Sequence, residues 1–520
     1  MDVLIVGSGP AALAAAALLG RRRERGQDLR IMVLEGSSCR VRPKDPTCIV
    51  DLEEEAGLEE LGGIPDACLG PRIEKEEILW LTSRGARKRP FSSHQSGSGG
   101  RLVAPEGLMD WLRGLAREGG VDLRQDSPAA GLLYDEKGVR GVVSSGGSDG
   151  RGKPRRIEAK ITCIADGAGG RISRQLIRDR HLDEGRPPGR HAAVIEEIWE
   201  VPEASGRAGR TWRSFGWPLP GNRFGSGRLT CLPKGRLAVL FAVSLADSAS
   251  PVDPWSLYEL WRSHPRWAGL LEGGRPVSRF AGLMPEAGYW SIPKLAAPGA
   301  LLTGAAAGLA DLYHFRRLQP ALVSGVLAGE VMAEALTEGD VSAPRLMAYD
   351  RRLRDSTLGQ RLYDARNYLE TFQPSRLAGL RQLAVQAVTG GRGLRERRRV
   401  AVGTPQRPLE RPPVLPLERH FPRVPGWGEL EIGPLTGRRP STRPGAVRSP
   451  PIGPRLLDPG LCSSRCPEEF GCPCGSICPS GVFVTASTPD GGAPVLEGEL
   501  CMQCRFCEEA DPYGVIKLTS

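Results

Sequence analysis

At 520 residues and 40% hydrophobic content, the chain is long enough for two or three domains with cores of their own. Its net charge is +10, from 70 Lys+Arg against 60 Asp+Glu. That balance suits an anionic surface or an acidic partner, and equally a merely arginine-rich composition. No apolar run approaches the roughly 18 residues of a membrane span. The six histidines form no H-x-x-x-H or H-E-x-x-H pattern, and no Walker loop occurs, so zinc-peptidase and P-loop chemistry are excluded.

The chain starts at once on an apolar strand over residues 3–6, with no signal-peptide pattern before it, so a reducing, cytoplasmic setting is expected. Gly7-Ser8-Gly9-Pro10-Ala11-Ala12 then opens an Ala/Leu helix running to about Leu19. Gly7 permits the tight turn, Gly9 lets backbone approach a pyrophosphate, and Ala12 is the third small position, where helix packs on strand. A second strand over Arg30–Leu34 ends in Glu35, placed to accept from a ribose hydroxyl. Strand, glycines, helix, strand and acid in this order predict a dinucleotide site. A permanently held FAD suits an N-terminal fingerprint, but spacing alone does not separate FAD from NAD.

Residues 36–100 read as loop-rich and carry no motif. The stripe Leu108, Met109, Leu112 and Leu115 predicts a core-facing helix over Gly107–Glu118. Short strands are expected at Gly131–Tyr134 and Val139–Val143 around the turn Asp135–Gly138, and at Ala159–Ala165. The last runs into Asp166-Gly167 and a glycine cluster, which sets backbone beside a cofactor or forms a plain turn. A short amphipathic helix is expected over Ser375–Thr389, edged by Arg376 and Arg381 and followed by five arginines between 392 and 399. Such a segment lies on an anionic bilayer or packs on its own domain. Residues 401–455 are Pro- and Arg-rich and read as a linker.

Thirteen cysteines occur in the chain, eight of them between Cys462 and Cys507. Cys501-x2-Cys504-x2-Cys507 with the remote Cys478-Pro479 has the spacing of a [4Fe-4S] ligand set; a zinc knuckle is the alternative. Against the two-cluster ferredoxin template, Glu468 and Gly471 stand at the first two positions of one repeat, and Asp511-Pro512 replaces the Cys-Pro of the other. Both losses fall on one cluster, which leaves one cubane on Cys478, Cys501, Cys504 and Cys507. Cys462, Cys466, Cys472 and Cys474 are surplus, as buried thiols or a small structural metal site. Cys39, Cys48, Cys68, Cys163 and Cys231 have no metal spacing and are expected in the core.

Several strings together resemble the electron-transfer-flavoprotein:ubiquinone oxidoreductase family. They include Ile161–Gly167 running to Ser173–Leu176, Phe215–Leu219, His264-Pro265, Leu271–Gly274, Ser291–Leu295, Ala307-Gly308, Ser324-Gly325 and Arg366-Asn367. Cys478-Pro479, the C-x2-C-x2-C run and Asp511-Pro512 extend the match, which covers roughly residues 105–372 and 455–515 plus the N-terminal fingerprint.

The resemblance implies FAD, one [4Fe-4S] cluster and a quinone site on a protein at a membrane surface. It implies that Gly7, Gly9, Ala12 and Glu35 hold the adenosine diphosphate end, and that Asp166, Gly167, Gly304 and Gly308 lie near the flavin. The quinone head would meet Gly225 and Ser226, where the family has Gly-Gly, and Arg317 and Gln319 stand where the family has Gly and His. No acid–base catalytic residue is nominated. The expected fold class is α/β plus α+β. A Rossmann-like, glutathione-reductase-type FAD domain (1–190 and 280–372) carries an inserted antiparallel-sheet quinone domain (191–279). A basic segment (373–400), the linker (401–455) and a ferredoxin-like domain (456–520) complete it. The expected function is electron transfer from reduced electron-transfer flavoprotein, as partner, through FAD and the cluster to a membrane quinone, on the inner face of the cell membrane and with no nucleic acid. A flavin-dependent prenyl double-bond reductase, and a non-enzymatic scaffold with zinc-bound cysteines, are the alternatives.

Overall fold

A computed structural model describes residues 1–366, apart from 36–46, 52–57, 89–99, 126, 145–154, 169, 188–190, 202–206, 220–223, 245–253, 287 and 312–315, together with 453–470, 482–484, 495–496, Cys507 and 515–519. The amphipathic segment of 375–389 and nearly all of the linker lie outside the described residues.

The first half of the molecule is built on β1 (Val3–Val6), α1 (Pro10–Glu24) and β2 (Ile31–Leu34). β1 pairs in parallel with β2 on one side and with β3 (Ile161–Ile164) on the other. Strands Ala300–Leu302 and Ala296–Ala297 extend this sheet at one edge and Asp122–Arg124 at the other. These strands are continuous apolar runs because both faces are covered. α1 is apolar nearly all round for the same reason: every residue from Ala11 to Gly20 is buried. It is flanked by the helix Pro105–Glu118 and by the 21-residue α3 (Leu318–Glu338). Small residues let the helices meet: a Cβ on Gly325 would fall 2.2 Å from the Ala11 carbonyl oxygen. α3 is, among the described residues, the one helix long and apolar enough to cross a bilayer, and most of it is buried here.

The second half is a seven-stranded sheet. β4 (His191–Glu200), β5 (Arg210–Gly216), β6 (Gly225–Leu232), β7 (Arg236–Ser244) and β8 (Arg275–Pro285) form most of it. The expected loop-rich character of 36–100 fails here. Lys75–Thr82 is a strand that joins β5 in parallel, and Gly85–Lys88 pairs beside it. Its apolar centre, Ile78-Leu79-Trp80-Leu81, is covered on both faces by the two clusters described next, so it lacks the alternation of a one-sided strand. The sheet therefore reaches beyond the 191–279 span expected for it, at both ends.

One face of this sheet packs Leu229, Val239, Phe241 and Ile195 under Tyr258, Trp261 and Trp267 from the helices Pro254–Arg262 and Pro265–Leu271. A Cβ on Gly227 would fall 2.0 Å from the Trp261 ring. The other face carries Val194, Phe215, Leu240, Ala242 and Met284 against Ala310, just beyond the Gly304–Gly308 segment. That face therefore looks onto the parallel-sheet half.

Among the described C-terminal residues, Gly453–Leu456 pairs antiparallel with Ile516–Thr519, and a helix spans Pro459–Phe470. The strand Gly453–Leu456 begins inside the expected linker. Val482, Phe483, Cys507 and Ile516 form a small core.

Candidate functional site

The turn between β1 and α1 is held open by sterics. Gly7 has φ 111°, and a Cβ there would lie 2.3 Å from the carbonyl oxygen of Ala165. Only glycine fits both constraints. Gly9 caps the helix with no side-chain bond to the free N–H groups of its first turn, and a Cβ on Gly9 meets nothing within 4 Å. Unspent backbone donors, the positive end of the helix dipole and open space form an anion cradle. Glu35 is buried at 8% exposure at the end of β2. Its Oε1 accepts from the Ser8 hydroxyl at 2.7 Å and from Arg113 Nη2 at 3.3 Å. The residues nominated from the fingerprint are thus brought together, and they fit the pyrophosphate and ribose of a dinucleotide. Ser8 and Arg113 were missed by sequence reasoning. Ser8 lies within the fingerprint, but Arg113 sits on the polar side of a helix with no local signal.

Asp166 has a local structural role. Its Oδ2 accepts from the N–H groups of Ile172 and Ser173, capping α2 (Arg171–Asp179). Burial pushes its carboxyl up, against those backbone donors. A Cβ on Gly170 would lie 2.1 Å from its Oδ1. Gly167 follows with φ 90° and open space beside it. Gly304, with φ 62°, donates its N–H to Ser324 Oγ at 3.1 Å, and Gly308 closes that turn in the left-handed region. Gly304 thus lies against the first turns of α3.

Gly225 and Ser226 lie side by side on β6, paired with Val243 and Ala242 of β7. Ser226, at 1% exposure, is on the face turned toward the parallel-sheet half, and its Oγ is buried with no hydrogen-bond partner. The same face carries charges that sequence reasoning did not find. Arg213 and Arg228 stand directly opposite each other on β5 and β6, at 7% and 5% exposure. Arg213 Nη2 bonds Glu76 Oε1 at 2.7 Å, while Arg228 Nη2 donates to the carbonyl of Thr47 at 2.9 Å. Glu196, at 3% exposure, pairs with Arg317 at 3.5 Å. Arg317 therefore has a carboxylate partner on the facing sheet. Gln319 brackets the backbone of Asp51, accepting from its N–H at 3.1 Å and donating to its carbonyl at 3.4 Å. The Asp51 carboxylate bridges Arg316 at 3.0 Å and Arg361 at 3.2 Å. A small, partly open pocket lies beside Arg316, Gln319, Pro320 and Arg361.

Of the nominated cluster ligands, Cys507 is described and buried, with no disulfide; Cys478, Cys501 and Cys504 lie outside the described residues. Among the described residues no group of metal-binding side chains occurs. Cys462, one of the surplus thiols, is buried and free of disulfides, as are Cys68, Cys163 and Cys231, while Cys48 is half-buried. Burial pushes the Cys163 thiol up to about 12 and the Cys231 thiol to about 11, so neither is a thiolate at neutral pH.

Residues 191–283 match the family model described as "ETF-QO, ubiquinone-binding". The electron transfer flavoprotein-ubiquinone oxidoreductase of Pseudomonas aeruginosa is 26% identical over 540 residues, covering 98% of this chain and 95% of that protein. The mitochondrial protein of the same description from Oryza sativa subsp. japonica is 26% identical over 545 residues, covering 100% and 90%. Among solved structures, a geranylgeranyl bacteriochlorophyll reductase-like protein from Thermoplasma acidophilum superposes with TM-score 0.54 at 17% identity, over 75% of this chain and 98% of that one. A flavin-dependent brominase does so with TM-score 0.51 at 15% identity, over 75% and 93%. The solved structures share the fold, in keeping with the expected FAD-type architecture of the main body. By the matched domain and along its length, the chain is similar to the electron transfer flavoprotein-ubiquinone oxidoreductases.

Proposed function

We propose that this protein is an oxidoreductase that carries electrons from a reduced electron-transfer flavoprotein to a quinone, using FAD and one [4Fe-4S] cluster. The observation that carries the reading is the ubiquinone-binding match over 191–283, which falls on the sheet whose inner face looks onto the dinucleotide-type half. FAD, when bound, supplies a carrier of one or two electrons, and the cluster passes one at a time.

The chain's own residues bind and orient. The N-terminus of α1 holds phosphate, Gly9 keeps a side chain out of its way, and Gly7 lets the turn pass against the Ala165 backbone. Glu35, itself fixed by Ser8 and Arg113, takes the ribose. Gly167, Gly304 and Gly308 leave backbone, rather than side chains, along the flavin. Asp166 holds its loop in shape through the α2 cap. Phe215, Leu240 and Ala242 keep water from the quinone side. Cys478, Cys501, Cys504 and Cys507 hold the cluster within a ferredoxin-like C-terminal domain of 456–520. The basic segment of 373–400 rests on the cytoplasmic face of the membrane.

The test is turnover with reduced electron-transfer flavoprotein and a soluble quinone analogue. Quinone reduction supports the reading. Its absence, with saturation of a prenyl chain instead, overturns it.

A further inference from the structure

Arg228 is a buried cation without an anion. It is 5% exposed, and among the described residues it forms no ion pair. One of its nitrogens donates to a neutral backbone carbonyl, and its Nε meets no partner. Its neighbour across the strand pair is a second guanidinium, Arg213, an arrangement that costs stability where like charges face each other. Glu196 attracts it from two strands away, with Leu240 between them in the register, and is itself engaged by Arg317. A buried charge left in this state is expensive unless something completes it.

The groups around it are incomplete in a matching way. Ser226 lies two residues along the same strand and on the same face, and its Oγ has no partner. Thr47, whose carbonyl receives Arg228, is 1% exposed with an unpartnered Oγ1. Glu196 Oε1 is likewise buried and unpartnered. Arg228 and Ser226 thus bring two unpartnered donors to one sheet face, and Thr47, which meets Arg228 through its carbonyl, carries a third. Across the sheet from Ser226, Ala242, Val194 and Phe215 make the adjoining patch apolar. A small amphiphilic ring fits this division: an anionic edge on Arg228 and Ser226, a hydrocarbon body over the apolar patch.

We infer that the inner face of the 191–285 sheet is an anion-recognising site, and that the acceptor of this chain carries an acidic group on its ring. The inference deepens the proposed function and rests on it for the word quinone; the anion site itself stands on Arg228, Ser226 and Thr47. It also gives a use to the serine that replaces the second glycine of the family pair, because its hydroxyl is a donor that glycine lacks.

The test is equilibrium binding to the oxidised full-length protein, with no electron donor present. The probes are 2-hydroxy-1,4-naphthoquinone, ionised at neutral pH, and its neutral methyl ether, with salicylate and salicylamide as a second, non-quinone pair. The acidic naphthoquinone is expected to bind about tenfold or more tighter than the ether. Arg228→Met removes that preference, and Ser226→Ala weakens the acidic probe severalfold, with near-ultraviolet circular dichroism showing both variants folded. If Arg228→Met does not fold, the Ser226→Ala comparison and the probe pairs on the unaltered protein still decide. Equal binding of each acid and its neutral partner overturns the inference, as does binding of no probe. Preference for salicylate over salicylamide with neither naphthoquinone bound keeps the anion site and removes the quinone reading.

Discussion

Gly7 and Gly9, two residues apart, should respond differently to the same added methyl. Gly7→Ala forces a Cβ into a backbone with φ 111° and to within 2.3 Å of the Ala165 carbonyl oxygen. Left-handed strain of this kind costs about 1–3 kcal/mol. Overpacking against a backbone atom that belongs to the central sheet adds about 1–3 kcal/mol. The total, about 2–6 kcal/mol, is a large part of the about 5–15 kcal/mol that holds a domain together. A fall in Tm of roughly 5–20 °C follows for a body of this size. Gly9→Ala adds its methyl at φ −72° with nothing within 4 Å. The lost cap preference and the lower unfolded-state entropy nearly cancel, so stability moves by under about 1 kcal/mol. That methyl enters the space proposed for the pyrophosphate, so FAD affinity drops about tenfold or more. Differential scanning fluorimetry and FAD equilibrium dialysis read the two effects separately. A Gly7→Ala protein with unchanged Tm refutes the steric reasoning, and a Gly9→Ala protein with unchanged FAD affinity refutes the placement of the phosphate.

Glu35→Gln weakens FAD binding while leaving Tm within a few degrees, since it keeps the Ser8 bond and loses the charge facing Arg113; dialysis with FAD checks this. Asp2 gives a pH signature. Burial opposes its ionised form, but Lys160 at 2.8 Å and the Arg30 N–H at 2.9 Å outweigh it and lower its pKa to about 2. Because the folded value lies below the unfolded one, the contribution is complete above pH of about 4 and is lost as pH falls toward 2. Asp2→Asn therefore lowers Tm at pH 6 and the difference closes on acidification. Serine at Cys478, Cys501, Cys504 or Cys507 removes the iron and the electron paramagnetic resonance signal of the reduced cluster. Cys462→Ser retains both, and loss of iron there as well would require a different ligand set.

The dinucleotide half was legible because its information is local. Strand, Gly7, Gly9, helix and Glu35 follow within 35 residues, and each has a steric or electrostatic reason that survives without knowledge of the rest of the chain. The hairpin at 129–144 was readable from its Asp135–Gly138 turn for the same reason. The strand Lys75–Thr82 was not, because its partner β5 lies more than a hundred residues away and its central Ile78–Leu81 run is covered on both faces. The charged inner face was hidden differently. In a chain with 70 Lys+Arg, an arginine on a strand reads as solvated surface, and only the cross-strand register shows Arg213 and Arg228 buried side by side. Arg317, which stands where the resemblance puts a glycine, meets Glu196 across the sheet–domain boundary, a contact that no spacing rule contains.

The central claim is tested most directly by anaerobic rapid mixing of the purified, FAD-loaded protein and reduced electron-transfer flavoprotein with a panel of soluble quinones, neutral and acidic, following quinone absorbance. The account predicts catalytic loss of quinone, one molecule for every two electrons delivered, and no loss when this protein is omitted. Reduction of the protein's own chromophores with the quinone left untouched would contradict it.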